Sequence, residues 1–240
     1  MNVHKNRITD PVVTLVCMPW TAVIEPSLGL GILKAKLKEA QIQARVFYGH
    51  IRLLKYMRLH TYDMMGANFA LNDWLFTHVF ETGTDPVQAE SVAGFARFFW
   101  EEKTFETYKK FNSSDDILSM LYRIRNESIP RYLDECCTEV LADNPTMVGF
   151  TCLFDQTIAS LALARLIKQR RPEITTVMGG YALEGPLSKQ IIDCFPFIDC
   201  VVTGEGEPAI VPLAQASVGK ATFAQVPGAI YRENGNTVFA

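Results

Sequence analysis

The residues of this chain best placed to do chemistry are few and small. They are Thr151, the pair Gly179–Gly180, and the run Gly204-Glu205-Gly206-Glu207. Each closes an apolar run of strand length: MVGFTCLF (Met147 to Phe154), TTVMGGY (Thr175 to Tyr181) and CVVTGEGE (Cys200 to Glu207). Glycines remove side chains where a ligand must pass close to backbone N–H and C=O groups. Thr151 adds a hydroxyl, and Glu205 a carboxylate able to accept hydrogen bonds from sugar hydroxyls or amides. That set suits a large, flat, amide-rich ligand. Taken singly, each glycine reads equally well as a turn, and Glu205 and Glu207 as charges favouring the start of the next helix. The coincidence of three such strand ends favours one binding surface.

Several other chemistries are missing. No C-x-x-x-C-x-x-C run is present, so the chain offers no three-thiolate cradle for an iron–sulfur cluster. The six cysteines, Cys17, Cys136, Cys137, Cys152, Cys194 and Cys200, match neither a zinc ribbon nor a disulfide framework. Cys17, Cys152 and Cys200 fall in buried-strand patterns and read as small hydrophobes. The first strand ends in Cys17-Met18-Pro19-Trp20, without the acids of a phosphoacceptor site or the Ser/Thr-rich phosphate loop of a flavodoxin. Gly29-Leu30-Gly31 lies inside a helix and is followed by Lys34 rather than a third glycine, so it reads as packing and not as a dinucleotide fingerprint.

The elements that must position these residues follow from the hydrophobic pattern. Val12 to Met18 is a first strand, and Ser27 an N-cap ahead of Leu28, Leu30, Ile32, Leu33 and Leu37 on a helix reaching about Ala40. Gln43 to Tyr48 is a second strand. The apolar runs near the end then alternate with helices over Asp155 to Arg171, Pro186 to Phe195 and Pro208 to Ser217, the pattern of a parallel sheet covered on both faces. The predicted fold is α/β: a flavodoxin-like, Rossmann-type sheet of five parallel strands in order 2-1-3-4-5, which binds ligands beyond its carboxyl edge. The interval between strands 2 and 3 is too long for a loop and reads as a helical insertion with its own apolar interface. Its helices are expected from Ile51 to Leu59, Phe69 to Phe80, Val87 to Trp100, and Ile117 to Leu141, the last interrupted or restarted near Pro130, separated by turns at Gly83-Thr84-Asp85-Pro86 and Asn112-Ser113-Ser114-Asp115. Trp74, Trp100 and Phe95, Phe98 and Phe99 read as its core. Asn234-Gly235 signals a β-hairpin near the end. The divisions are thus 1–50 and 147–220 for the binding domain, 51–146 for the insertion, and 221–240 for a hairpin leading to a further domain.

At 240 residues, 48% hydrophobic and 20% charged, the chain has an ordinary globular composition. A net charge of -3 gives no basic footprint for nucleic acid. No run approaches the about 18 apolar residues of a membrane span, and a cytoplasmic location with no membrane partner is the expectation.

These segments resemble the N-terminal cobalamin-binding domain of radical-SAM enzymes, most closely the C-methyltransferases that mature ribosomally made peptides. VCMPW, PSLGLGILKAKLKEA, VGFTCLFDQTIASLALARLIKQRRPEI, VMGG and VVTGEGEPAI carry the resemblance, in order and over nearly the whole chain. It implies that Met18, Pro19, Trp20, Thr151, Cys152, Leu153, Gly179, Gly180, Tyr181, Gly204, Glu205, Gly206 and Glu207 surround cobalamin. It further implies that methylcobalamin is presented to a radical-SAM catalytic half, downstream or on a separate chain, which carries the iron–sulfur cluster and S-adenosylmethionine and acts on a precursor peptide. The D-x-H-x-x-G motif of cobalamin-dependent mutases is absent: Pro19-Trp20-Thr21 stands in its place, with Glu25 further on. His4, His50, His60 and His78 are not positioned to replace its histidine, and His50 reads as a turn residue. The lower face of cobalt is therefore expected to be open or to meet another group. Two other readings stay open: a non-catalytic interaction protein whose aromatic insertion docks a partner, and a small-nucleotide binder.

Overall fold

The computed structural model describes residues 10–80, 86–102, 111–153 and 155–240; for Phe69, residues 86–88 and Glu102 it describes the backbone alone. His4, most of the turn expected at 83–86, and Phe154 lie outside these residues. Nine stretches form the parallel strands and four of their covering helices: β1 (Val12–Cys17), α1 (Leu28–Glu39), β2 (Gln43–Tyr48), β3 (Met147–Thr151), α8 (Gln156–Arg170), β4 (Thr175–Gly179), α9 (Pro186–Cys194), β5 (Cys200–Val202) and α10 (Glu207–Ala216). Between β2 and β3 run α2 (Gly49–Leu53), α3 (Leu59–Gly66), α4 (Phe69–Thr77), α5 (Pro86–Glu102), α6 (Ser114–Arg123) and α7 (Ile129–Leu141). The hairpin β6 (Ala229–Glu233) and β7 (Asn236–Phe239) follows α10.

The strand order is β2-β1-β3-β4-β5-β6-β7. The first five strands are parallel, in the order expected. The expectation of a five-stranded sheet is corrected: β6 pairs antiparallel with β5, and β7 with β6, so the sheet has seven strands. A hairpin that buries Ala229, Ile230 and Tyr231 gains more by extending a sheet than by standing alone.

Side chains alternate across the sheet and divide the interior into two cores. On one face Val16, Met18, Val148, Phe150, Met178 and Val201 pack under α7, α8 and α9. On the other, Val13, Leu15, Met147, Val177, Cys200 and Val202 pack under α1 and α10. The first core runs without a break into α3–α6, so Trp74 and Phe99 share it with the sheet.

Of the helices expected between β2 and β3, one differs. The stretch from Ile51 to Leu59 is not one helix, because residues 54–58 interrupt it between α2 and α3. The long helix expected over Ile117–Leu141 is interrupted by a π-helical turn, Ile124–Ser128, and restarts as α7 at Ile129, with Pro130 in its first turn, as expected near that residue. The π-helical turn points Arg125 inward, where the guanidinium lies 4.6 Å from the Trp74 ring and donates to the Trp74 carbonyl.

Candidate functional site

A slot of about 400 Å³ opens between the sheet and the helix pair α1 and α10. It exists because of what the sheet presents on that face. The odd-numbered positions of β3 are Met147, Gly149 and Thr151, flanked in register by Leu15 of β1 and Val177 of β4. Gly149, half-buried in the middle strand, contributes no side chain, and a Cβ there would stand 3.3 Å from Leu15 Cδ2. The sequence reading did not single out Gly149. A glycine inside an otherwise β-branched and aromatic run was the signal that could have found it.

Ser27 caps α1 by accepting from the Leu30 N–H at 3.3 Å. Leu30 and Leu37 anchor the helix on the sheet, while Leu28 and Ile32 stay 78% and 38% exposed and line the slot instead. A Cβ on Gly29 or Gly31 would meet nothing within 4 Å, so the packing role expected for this pair is not found. Opposite, Gly206 lies against Leu33, whose Cδ2 would be 3.1 Å from an added Cβ.

The three strand ends meet at the carboxyl edge. Cys152 N–H donates to the Gly179 carbonyl at 2.8 Å, and Ala182 N–H to the Cys152 carbonyl at 3.1 Å. Gly180 has φ +118°, and a Cβ there would fall 2.6 Å from the Cys152 carbonyl oxygen; only glycine permits this approach. Gly204 N–H donates to Glu184 Oε1 at 2.7 Å, clamping the loop after β5 to the one after β4. Glu205 is exposed, Glu207 opens α10, and no side chain caps that helix.

Of the residues expected around a ligand, Thr151, Gly179, Gly180, Gly204, Glu205, Gly206 and Glu207 line the slot. The others do not. Met18 and Cys152 are fully buried in the opposite core, and Pro19 is buried beside them. Trp20 is 8% exposed, its ring 4.6 Å from that of Tyr62, whose hydroxyl accepts from Thr21 N–H and donates to the Thr21 carbonyl. Leu153 and Tyr181 stand exposed on the crest.

Gln156, also missed in sequence, straps two of these loops together. It is fully buried; its Nε2 donates to the Met18 carbonyl at 3.0 Å and to Cys17 Sγ at 3.4 Å, and its Oε1 accepts from Leu153 N–H at 3.0 Å. The lone buried amide among apolar and small residues of α8 was its only sequence signal.

The buried thiols beneath the crest are held protonated. Burial pushes the Cys17 thiol up to about 11 and those of Cys152 and Cys200 to about 12, so none is a thiolate at neutral pH. His50 is 1% exposed, not a surface turn residue, and burial lowers its imidazole against a hydrogen bond with the Cys17 backbone. Neither His50, His60 nor His78 lines the slot. Among the described residues no His, Cys, Asp or Glu group is of metal-holding size, and no helix is long and apolar enough to cross a membrane.

No protein-family model matches the chain, and no curated protein sequence matches it. Solved structures show a distant likeness. The radical S-adenosylmethionine methyltransferase TsrM from Kitasatospora setae, with tryptophan substrate and a SAM analogue bound, aligns over 95% of this chain and 30% of its own, at 14% identity and TM-score 0.49. TsrM with cobalamin and a 4Fe–4S cluster bound aligns over 96% and 29%, at 15% identity and TM-score 0.47. The cobalamin-dependent S-adenosylmethionine radical enzyme OxsB aligns over 97% and 22%, at 15% identity and TM-score 0.47. The chain thus spans less than a third of the length of each. At this distance the likeness carries no weight on function, and the slot must carry it.

Proposed function

We propose that this chain is a corrinoid-binding module, in which the slot takes the nucleotide tail of cobalamin and the crest carries the corrin ring. One observation supports the reading above all: a narrow apolar slot, held open by Gly149 and Gly206, that meets glycine-bearing strand ends at the sheet's carboxyl edge. A macrocycle is too wide for about 400 Å³, near the lower end of small-molecule pockets, whereas its tail is not. Leu28, Leu153 and Tyr181, exposed beside the mouth, offer apolar surface to the ring, and Thr151, Glu205 and the glycine backbones offer partners to its amides.

A small nucleotide suits the slot less well. No Lys or Arg lines it, and Glu205 and Glu207 flank its mouth, where a polyphosphate would meet like charge.

When bound, cobalamin supplies a cobalt centre able to carry a methyl group. The chain's own residues bind and orient it: the slot excludes water from the tail, and the Gln156 and Glu184 hydrogen bonds fix the loops on which the ring would rest. In the fuller proposal a radical-SAM catalytic half, elsewhere on a longer chain or on a partner, generates the radical, and the carbon methylated belongs to a precursor peptide. The polypeptide alone binds and does not catalyse.

Gel filtration of the purified chain with hydroxocobalamin, followed by the visible spectrum, tests the module. A co-eluting corrinoid is expected, together with its loss in Gly149→Val, whose side chain would fill the slot. Absence of corrinoid from the wild-type peak would end the proposal.

A further inference from the structure

The slot's chemistry changes sharply with depth, and the change bears on which corrinoid it accepts; this rests on the corrinoid reading above. Its polar lining side chains, Thr151, Glu205 and Glu207, all lie at the carboxyl edge of the sheet. Below Thr151 the walls are Leu15, Leu33, Met147, Val177 and Leu213, with Gly149 between them. Leu15, Met147 and Leu213 are 1%, 0% and 3% exposed, and Gly149 between them is half-buried, so whatever reaches the floor meets apolar walls. The backbone there has nothing to offer either. β1, β3 and β4 are each paired on both sides, which commits the N–H and C=O groups around Leu15, Gly149 and Val177 to the sheet.

We infer that the module selects corrinoids by the base at the end of their nucleotide tail, accepting 5,6-dimethylbenzimidazole and rejecting adenine. The base is the tip of the tail and is the part that reaches the floor. Dimethylbenzimidazole brings two methyl groups and a single free ring nitrogen. Adenine brings an exocyclic amine and two further ring nitrogens, none of which finds a partner below Thr151. Leaving even one such group buried and unpaired weakens binding by about tenfold or more. Gly149 and Val177 set this preference, because they shape the flat face on which the base would lie.

The test compares three ligands on the wild-type chain by tryptophan-fluorescence titration and gel filtration: cobalamin, the same corrinoid with adenine as lower base, and cobinamide, which has no nucleotide. Cobalamin should bind about tenfold or more tightly than the adenine form, and cobinamide more weakly than cobalamin. Equal binding of cobalamin and the adenine form would overturn the inference while leaving the corrinoid reading intact. Equal binding of cobinamide would overturn it too, since the tail would then lie outside the slot. Failure of all three ligands would overturn the corrinoid reading itself and the inference with it. Val177→Thr, which places one hydroxyl on the floor, should narrow the preference several-fold in a variant whose melting profile confirms folding; an unchanged preference in that folded variant would count against the assignment of the floor.

Discussion

Replacing Gln156 by leucine tests whether the crest is a preformed platform. The leucine keeps the volume and the apolar contacts of the side chain but none of its hydrogen bonds. Two backbone groups then lose a partner: the Leu153 N–H and the Met18 carbonyl, each 3.0 Å from the amide. They are not equivalent. Leu153 is 44% exposed, so water can reach its N–H, and the loss there is that of one ordinary hydrogen bond, about 1 kcal/mol. Met18 is 0% exposed and its carbonyl has no access to water, so that group carries most of a desolvation penalty of about 1–3 kcal/mol. The sum, about 2–4 kcal/mol, corresponds to a fall in Tm of about 5–15 °C for a chain of this size. Differential scanning calorimetry at neutral pH reads it directly. Gln156→Glu sharpens the test. An ionised carboxylate still accepts from Leu153 but opposes the Met18 carbonyl, whereas the protonated acid can donate to it, so this variant should recover stability as pH falls. A fall of less than about 2 °C in the leucine variant would refute the claim that Gln156 holds the two loops.

Three further outcomes follow from the geometry. Gly180→Ala should cost about 2 kcal/mol or more, because φ +118° is strained for any L side chain and the new Cβ would press on the Cys152 carbonyl; urea melts that coincide with wild type would contradict it. Asp73 is raised to about 6 by burial and by neighbouring Asp155, so the native state binds its proton more tightly than the unfolded chain does. Its contribution to stability is therefore fully present below about pH 4 and lost as pH rises through 6, and Asp73→Asn should stabilise the protein at pH 7 by about 1 kcal/mol, allowing for partial exposure, and not at pH 4; equal effects at both pH values would be inconsistent with this. Cys194 is exposed and the other five thiols are buried and unpaired, so a thiol-specific dye should titrate one cysteine in the native protein and six in denaturant, and rapid labelling of a second would show that a core opens.

Most of the scaffold was legible because its signals are local. Three apolar runs separated by helix-length stretches define parallel strands, and Ser27 and the Asn-Gly hairpin announce themselves by residue type. The hairpin's attachment to β5 was not legible, since a strand's partner depends on which edge lies nearest in space and not on its own sequence. The burial of the loop after β1 was not legible for a related reason. Pro19 and Trp20 follow a strand end, but the sequence does not contain the fact that Tyr62, forty-one residues after Thr21, bonds that loop to α3. Gly149 and Gln156 were overlooked because each looks ordinary in its own segment. Their importance comes from what neighbouring elements place beside them: Leu15 next to the glycine, and the Met18 carbonyl above the amide.

The division of the interior into two cores explains why a slot can persist at all. An apolar space beside a sheet would ordinarily be closed by its covering helices, since unfilled volume sacrifices dispersion contacts on every wall. Here the larger core lies on the other face, where α8, α9 and the helices between β2 and β3 cover the sheet. The helices α1 and α10 pack on the sheet through Leu30, Leu37, Ile210 and Leu213, and α1 meets the start of α10 where Leu33 lies against Gly206, while the Glu184–Gly204 bond ties the loop before α10 to the loop after β4. A ligand entering such a slot displaces water without having to part packed side chains, and the ordering cost that would otherwise be met on binding has been met in folding. That is the behaviour the proposed corrinoid-binding role requires.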